Sequence, residues 1–214
     1  MRTESTEPLI LSFVVEGQPI AQPRQRYRIL WAAYALLDDV LHACADGREL
    51  CDELKKVLRA DNYTPSRHPV NAWKEAVGYA GKIAVACAPQ WYGKGPLACL
   101  IRVYSPRPKT KVWKRKPMAG YWDERSSGTG GGDFDNHAKA ITDALSGITY
   151  KDDKQICFGG PVEKRICSGD EKPRAVIVFG EVTTDENGCV VDVVELYKEL
   201  ERAATMPAAV TLGG

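Results

Sequence analysis

Acidic side chains and a nearby lysine form the densest group of chemically active residues in this sequence. Asp133 and Asp135 are two residues apart, and side chains two positions apart in an extended chain point the same way. Lys139 follows Asp135 by one helical turn, on the same face of a helix that starts here. A second acidic pair, Asp152 and Asp153, precedes a predicted strand. The two pairs could meet once the helix between them folds back.

Closely spaced carboxylates repel one another when they are ionised, and a divalent cation is a natural partner for them. Three or four carboxylates around one point would make a hard, oxygen-rich site that suits Mg²⁺ or Mn²⁺. The pattern does not fit a calcium EF-hand loop, because Ala138 stands where that loop needs glycine and Ala144 where it needs glutamate.

A purely structural interpretation of the same residues stays open at this point. Asp135 could be the N-cap of a helix, Lys139 its ion-pair partner one turn later, and the second acidic pair a polar turn. When the Asp-x-Asp pattern is considered by itself, the structural interpretation is favoured over a metal site. His137 lies in the same predicted helix, and a single histidine there is more typical of a surface or packing residue than of a metal ligand.

The elements that must position these residues predict an α+β fold, in which a small mixed β-sheet packs with helices. A helical hairpin is predicted over about 29–61 and an acidic C-terminal helix over about 190–204, both within a single domain of residues 1–214. The other predicted elements are strands near 9–15, 97–104, 155–166 (in broken form) and 174–182, a helix over 72–86 that Asn71 could cap, and a helix over 135–145 capped by Asp135.

Composition limits the class of protein. Lysine and arginine number 29 against 28 aspartates and glutamates, a net charge of +1, so an electrostatic partner must be recognised by local patches. The apolar run Leu9–Val15 is too short to cross a bilayer, and the chain starts with polar residues, so we expect a soluble protein that is not secreted. Seven cysteines without a close CxxC pair indicate reduced thiols and therefore a cytoplasmic location.

The string from Gly132 to Ile156 resembles the RusA family of Holliday junction resolvases, in particular its phage-type members. The shared pattern is Asp-x-Asp-Asn, a lysine three residues after the Asn, Asp-Ala-Leu, an aromatic residue, and Asp-Asp-x-Gln before a hydrophobic residue. Weaker matches are Arg24-Gln25-Arg26 and Tyr63-Thr64-Pro65-Ser66. The resemblance covers most of the chain, while the helical hairpin and the acidic C-terminal helix lie outside the usual family core.

The resemblance implies a role for each acidic residue. Asp133, Asp135 and Asp153 would be the metal-binding, catalytic carboxylates, Asp152 would support them, and Lys139 would be the catalytic lysine. The implied activity is Mg²⁺-dependent hydrolysis of phosphodiesters in four-way junctions or related branched DNA during recombination and repair, with Mn²⁺ as a second metal. The implied assembly is a homodimer, which would present two equivalent sites to a two-fold junction in the cytoplasm of a bacterium or of a phage-infected host.

Two basic segments offer phosphate contacts for such a substrate. One follows the first strand, and the other runs from Arg102 to Lys116 without an acidic residue. Trp113, Tyr121 and Trp122 could stack on unpaired bases or pack within the protein, and both interpretations stay open. The candidate DNA-binding residues are Arg24, Arg26, Arg28, Lys109, Lys111, Lys114 and Arg115.

Two other functions remain as alternatives. The same chemistry could be redirected to forks or flaps by the helical hairpin. The chain could also be a catalytically silent protein that binds branched DNA, although a binding module has no reason to keep acidic residues facing phosphate.

Overall fold

The computed structural model describes residues 8–23, 67–107, 118–119 and 132–205. The chain divides into two compact units, residues 1–22 with 69–214 and residues 23–68. The second unit lies almost entirely outside the described residues. The helical hairpin predicted over about 29–61 falls there and stays a prediction.

Within the described residues, the first unit contains a five-stranded sheet and three α-helices. The sheet order is β1-β5-β2-β4-β3, with β2 and β4 parallel and the other neighbouring strands antiparallel. This mixed sheet with helices confirms the predicted α+β class. The strands are β1 (Ile10–Glu16), β2 (Leu97–Ser105), β3 (Met118–Ala119), β4 (Ile156–Ile166) and β5 (Arg174–Glu181), and the helices are α1 (Pro69–Cys87), α2 (Phe134–Leu145) and α3 (Val193–Thr205).

Strand β2 lies at the centre of the sheet and is buried on both faces. Because successive side chains of a strand point to opposite faces, β2 contributes to two cores. Leu97 and Ile101 belong to the core that includes residues of α1 and α2, whereas Leu100 belongs to the core that includes α3. Helices therefore cover the sheet on both sides, with α2, the helix of the acidic motif, on one of them.

Helix α2 is held by close packing against α1. A Cβ atom at Gly81 of α1 would lie only 2.5 Å from Cδ2 of Leu145, so a larger residue there would force the buried Leu145 side chain to shift. On the surface of the same contact, Lys74 Nζ lies 3.1 Å from Asp143 Oδ2. Asp143 therefore pairs within the fold, as expected for a structural residue.

The acidic C-terminal helix is part of the body of the fold. Its Leu196, Leu200 and Ala204 are buried against β2 and β5, and each buried leucine stabilises the fold by about 1.5–3 kcal/mol. The helix begins at Val193, three residues later than predicted, because Val190 instead forms a bridge with Thr184.

Three further differences from the sequence predictions have local causes. Helix α1 begins at Pro69, where proline's missing N–H costs nothing, so the prediction that Asn71 caps it is wrong. Strand β4 is continuous, because its Gly159-Gly160-Pro161 segment is absorbed by a shift of register against β2 between Cys99 and Ile101. The short strand β3, paired with the end of β4, was not predicted.

Candidate active site

Helix α2 presents the first acidic pair at its N-terminus. The helix begins at Phe134, so Asp133 is the N-cap and Asp135 lies in the first turn, which makes the prediction that Asp135 caps the helix wrong. The Asp133 side chain makes no capping hydrogen bond to the helix. Both aspartates are exposed, at a helix end whose free amides favour negative charge.

Lys139 is exposed one turn further along α2. Among the residues that the structure describes, no ion pair joins Lys139 to Asp135, although their spacing would permit one. The ammonium group is therefore not neutralised by its helical neighbour. This observation weighs against the interpretation of Lys139 as a structural partner of Asp135.

The second acidic pair lies in a tight turn between α2 and β4. Asp153 opens a 3-10 helix of three residues, and Asp152 is its N-cap. The Asp152 carboxylate accepts a hydrogen bond of 3.0 Å from the Lys154 amide. This hydrogen bond, followed by a hydrogen-bonding contact with the Asp153 side chain, holds the pKa of Asp152 below its usual range. The Asp152 carboxylate therefore stabilises the turn by capping the 3-10 helix. Asp153 is exposed to solvent.

Hydrogen bonds connect this turn to α2. The Tyr150 hydroxyl donates to the Thr142 carbonyl of α2 over 2.7 Å. Burial raises the pKa of Tyr150, with smaller contributions from Cys99, Asp153 and Asp143. Asp153 is therefore close enough to act electrostatically on Tyr150, beside the C-terminal half of α2. Thr142 follows Asp135 by two helical turns, or about 10 Å along the axis.

The types of donor present at this site fit a hard divalent cation. Asp152 and Asp153 are neighbours in the chain, and a cation would relieve the repulsion between their ionised carboxylates. Within residues 8–23, 67–107 and 132–205, however, no three Asp, Glu, His or Cys side chains are grouped closely enough to hold a metal ion. The shared metal set of Asp133, Asp135 and Asp153 stays a prediction. Mg²⁺ is commonly held by one or two carboxylates, with water and substrate phosphate completing its shell.

Two residues beside the motif were missed or underestimated by the sequence analysis. Lys164 of β4 donates a hydrogen bond of 2.6 Å to the Gly132 carbonyl, directly before Asp133. His137 is only 1% exposed, and neither ring nitrogen has a hydrogen-bond partner among the described residues. The spacing of residues in the sequence does not reveal that β4 passes the start of α2, so nothing there pointed to Lys164.

Unfolding experiments at two pH values test the burial of His137. Burial, followed by the charge of Lys164, lowers the pKa of His137 from 6.5 to about 4, so the unfolded chain binds this proton more readily than the folded one. The stabilisation is present above about pH 6.5 and is lost as the pH falls towards 4. In urea denaturation, the free energy of unfolding of wild type should fall between pH 7 and pH 5. The fall should be about 2 kcal/mol smaller in the His137→Leu variant, which lacks the titrating imidazole. Equal losses in both proteins would contradict the buried, neutral histidine.

The seven candidate DNA-binding residues, from Arg24 to Arg28 and from Lys109 to Arg115, lie outside the described residues and stay predictions. Arg102, the first residue of the second basic segment, is described and is only 7% exposed. Its guanidinium donates to Glu163 over 3.0 Å and also contacts Glu201 of α3. Burial alone would lower the pKa of Arg102, but these two carboxylates raise it. The expectation that the whole segment from Arg102 contacts phosphate is therefore wrong at its first residue.

Comparison of the sequence with known proteins places the chain in a family. The chain matches the endodeoxyribonuclease RusA family over residues 49–178, more than half of its length. The chain therefore belongs to the RusA family of Holliday junction endodeoxyribonucleases, which confirms the resemblance carried by the acidic motif.

One relative is an uncharacterized protein of Bacillus subtilis (strain 168), YqaN. It is 28% identical to this chain over 106 residues, which are 49% of this chain and 71% of the relative. Among the described residues, no helix is long and apolar enough to cross a membrane.

Proposed function

We propose that this protein is a divalent-metal-dependent endonuclease that resolves Holliday junctions, or closely related branched DNA, in recombination and repair. Membership of the RusA family supports endonuclease activity on junctions. The observation that carries the proposal is the exposure of the motif: Asp133 and Asp135 are exposed, the Asp133 side chain makes no capping hydrogen bond to α2, and Lys139 is not paired with Asp135. These charged groups are presented to solvent, where a cation and a phosphate could reach them.

We assign the metal to Asp133, Asp135 and Asp153, with Asp152 in support, and Mg²⁺ or Mn²⁺ as the ion. A bound divalent ion would supply an activated water and neutralise charge on the scissile phosphate. Lys139 is proposed to steady negative charge on the same phosphate. Asp152 accepts the Lys154 amide and so fixes the turn that carries its neighbour Asp153.

The proposed assembly is a homodimer in the cytoplasm of a bacterium or of a phage-infected host. A two-fold dimer would present two equivalent sites to opposite strands of a four-way junction, so that one site per subunit suffices for paired nicks. Phosphate contacts are assigned to the basic segments that contain Arg24 and Lys109. Affinity for DNA should then fall as salt rises, because each contact releases counterions.

Cleavage of a defined junction tests this function. Purified protein is incubated with an end-labelled synthetic four-way junction, or with a linear duplex of the same arm sequence, in Mg²⁺ or in a chelator. We expect paired nicks in the junction in Mg²⁺, and none in the duplex or in the chelator. A fork and a flap of the same arms serve as further substrates. Preferential cutting of either would favour the redirected nuclease, whereas tight binding without cleavage of any substrate would favour the silent binding protein.

A further inference from the structure

Gln155 follows the second acidic pair and makes four hydrogen bonds through its side-chain amide. Its Oε1 atom accepts from the amides of Lys151, at 2.8 Å, and Asp152, at 3.1 Å. Its Nε2 atom donates to the carbonyls of Gly93, at 2.8 Å, and Gly95, at 2.9 Å. One side chain therefore joins the turn before Asp153 to the loop that precedes β2.

These bonds use the full capacity of a carboxamide, which has two N–H donors and an oxygen with two lone pairs. Glutamate at this position would lack the donors that the two glycine carbonyls need, and lysine would lack the acceptor that the two amides need. Asparagine has the right groups on a side chain that is one methylene shorter. The contacts of Gln155 therefore require this residue type, rather than a polar residue in general.

The loop on the other side of Gln155 is itself anchored to the body of the fold. The Gly93 amide donates to Glu181 Oε1 over 3.1 Å, at the end of strand β5, which lies between β1 and β2. Trp91 is buried, and its indole N–H donates to the Thr149 carbonyl over 2.7 Å. The support behind Asp153 thus runs through Gln155 to the loop and from the loop to the sheet.

From this geometry we infer that Gln155 is the positioning residue of Asp153, an inference that rests on the proposed function. Asp153 is exposed. Gln155 holds the segment before Asp153 by accepting hydrogen bonds from the amides of Lys151 and Asp152. In the sequence, Gln155 follows Asp153 by two residues. Loss of the four Gln155 hydrogen bonds should leave DNA binding intact. It should slow the chemical step, because a small displacement of a catalytic group lowers the reaction rate strongly.

The Gln155→Met variant tests this role, because methionine has nearly the same shape and offers none of the four hydrogen bonds. We expect the single-turnover cleavage rate at saturating enzyme to fall about thirtyfold, with the Kd for the junction within about twofold of wild type. The Mg²⁺ concentration for half-maximal rate should rise. Independently of activity, amide hydrogen exchange at Lys151 and Asp152 should be at least about tenfold faster.

A stability-matched control separates positioning from a general loss of stability. Leu200→Val weakens the packing of α3 on the opposite face of the sheet and should lower Tm without changing the cleavage rate. The inference is overturned if Gln155→Met cleaves at the wild-type rate, if Leu200→Val slows cleavage equally at equal Tm, or if exchange at the two amides is unchanged. If wild type itself cleaves no branched DNA, the proposed function fails, and amide exchange alone then decides whether Gln155 holds the turn.

Discussion

Replacing Asp153 with asparagine is expected to reduce junction cleavage in Mg²⁺ at least about a thousandfold while leaving junction binding unchanged or tighter. Asparagine keeps the shape of the side chain but removes the negative charge that would hold the cation, and a thousandfold loss corresponds to about 4 kcal/mol of transition-state stabilisation. Binding should survive because the substitution also removes repulsion between this carboxylate and DNA phosphate. Single-turnover kinetics with a parallel gel-shift titration measure both quantities.

Asp143→Asn is the matched control for this experiment. Asp143 is an aspartate near Tyr150, as Asp153 is, but its carboxylate is paired with Lys74 on α1. We expect its substitution to lower stability by at most about 1 kcal/mol, the usual value of an exposed ion pair, and to leave cleavage near the wild-type rate. If the two variants lost activity equally, or if Asp153→Asn cleaved like wild type, the assignment of Asp153 would be wrong.

Replacing Gly93 with alanine should cause a large loss in the free energy of unfolding. Gly93 has a φ angle of +53°, and a Cβ atom there would lie 2.2 Å from the Thr149 carbonyl oxygen and 3.1 Å from Trp91 Nε1. Left-handed backbone costs a non-glycine residue about 1–2 kcal/mol, and the clash would also displace the hydrogen bond between Trp91 and Thr149. We expect a total loss of about 3 kcal/mol in urea denaturation and a Tm lower by about 6–12 °C.

Gly95→Ala provides the comparison within the same loop. Nothing lies within 4 Å of a Cβ atom built at Gly95, and its carbonyl would still accept from Gln155. The free energy of unfolding of this variant should lie within about 0.5 kcal/mol of the wild-type value. If both alanine variants were equally stable, the loop would not be packed against Thr149 as described. The proposal that this loop supports Asp153 through Gln155 would then be contradicted.

The secondary structure around the acidic motif was predicted well where it depends on neighbouring residues in the sequence. The apolar stripe of α2 is periodic, and Gly147 follows its end with a φ angle of +75°, so the helix could be placed almost to the residue. Strand β2 was predicted over 97–104, in a mostly apolar run that Arg102 interrupts. That run could not reveal that α3 covers its second face, since α3 is separated from β2 by most of the second half of the chain.

Long-range contacts account for what the sequence analysis missed. Arg102 was read with its basic neighbours, and only the fold brings Glu163 and Glu201 to it. Gln155 matched a family pattern, but its contacts with Gly93 and Gly95 span about sixty residues of chain. By contrast, the capping box in which Gln155 reaches back to Asp152 joins residues only three apart, although the sequence analysis did not name it.

The acidic pair at the start of α2 is central to the proposed metal-dependent site at which junction DNA is cut. The most direct measurement is single-turnover cleavage of a labelled four-way junction by wild type and by the Asp135→Asn variant, each at saturating protein, in Mg²⁺ and in a chelator. We predict paired nicks by wild type in Mg²⁺ alone and no nicks by the variant, although it binds the junction. Cleavage by the variant at the wild-type rate, or by wild type in the chelator, would contradict the claim.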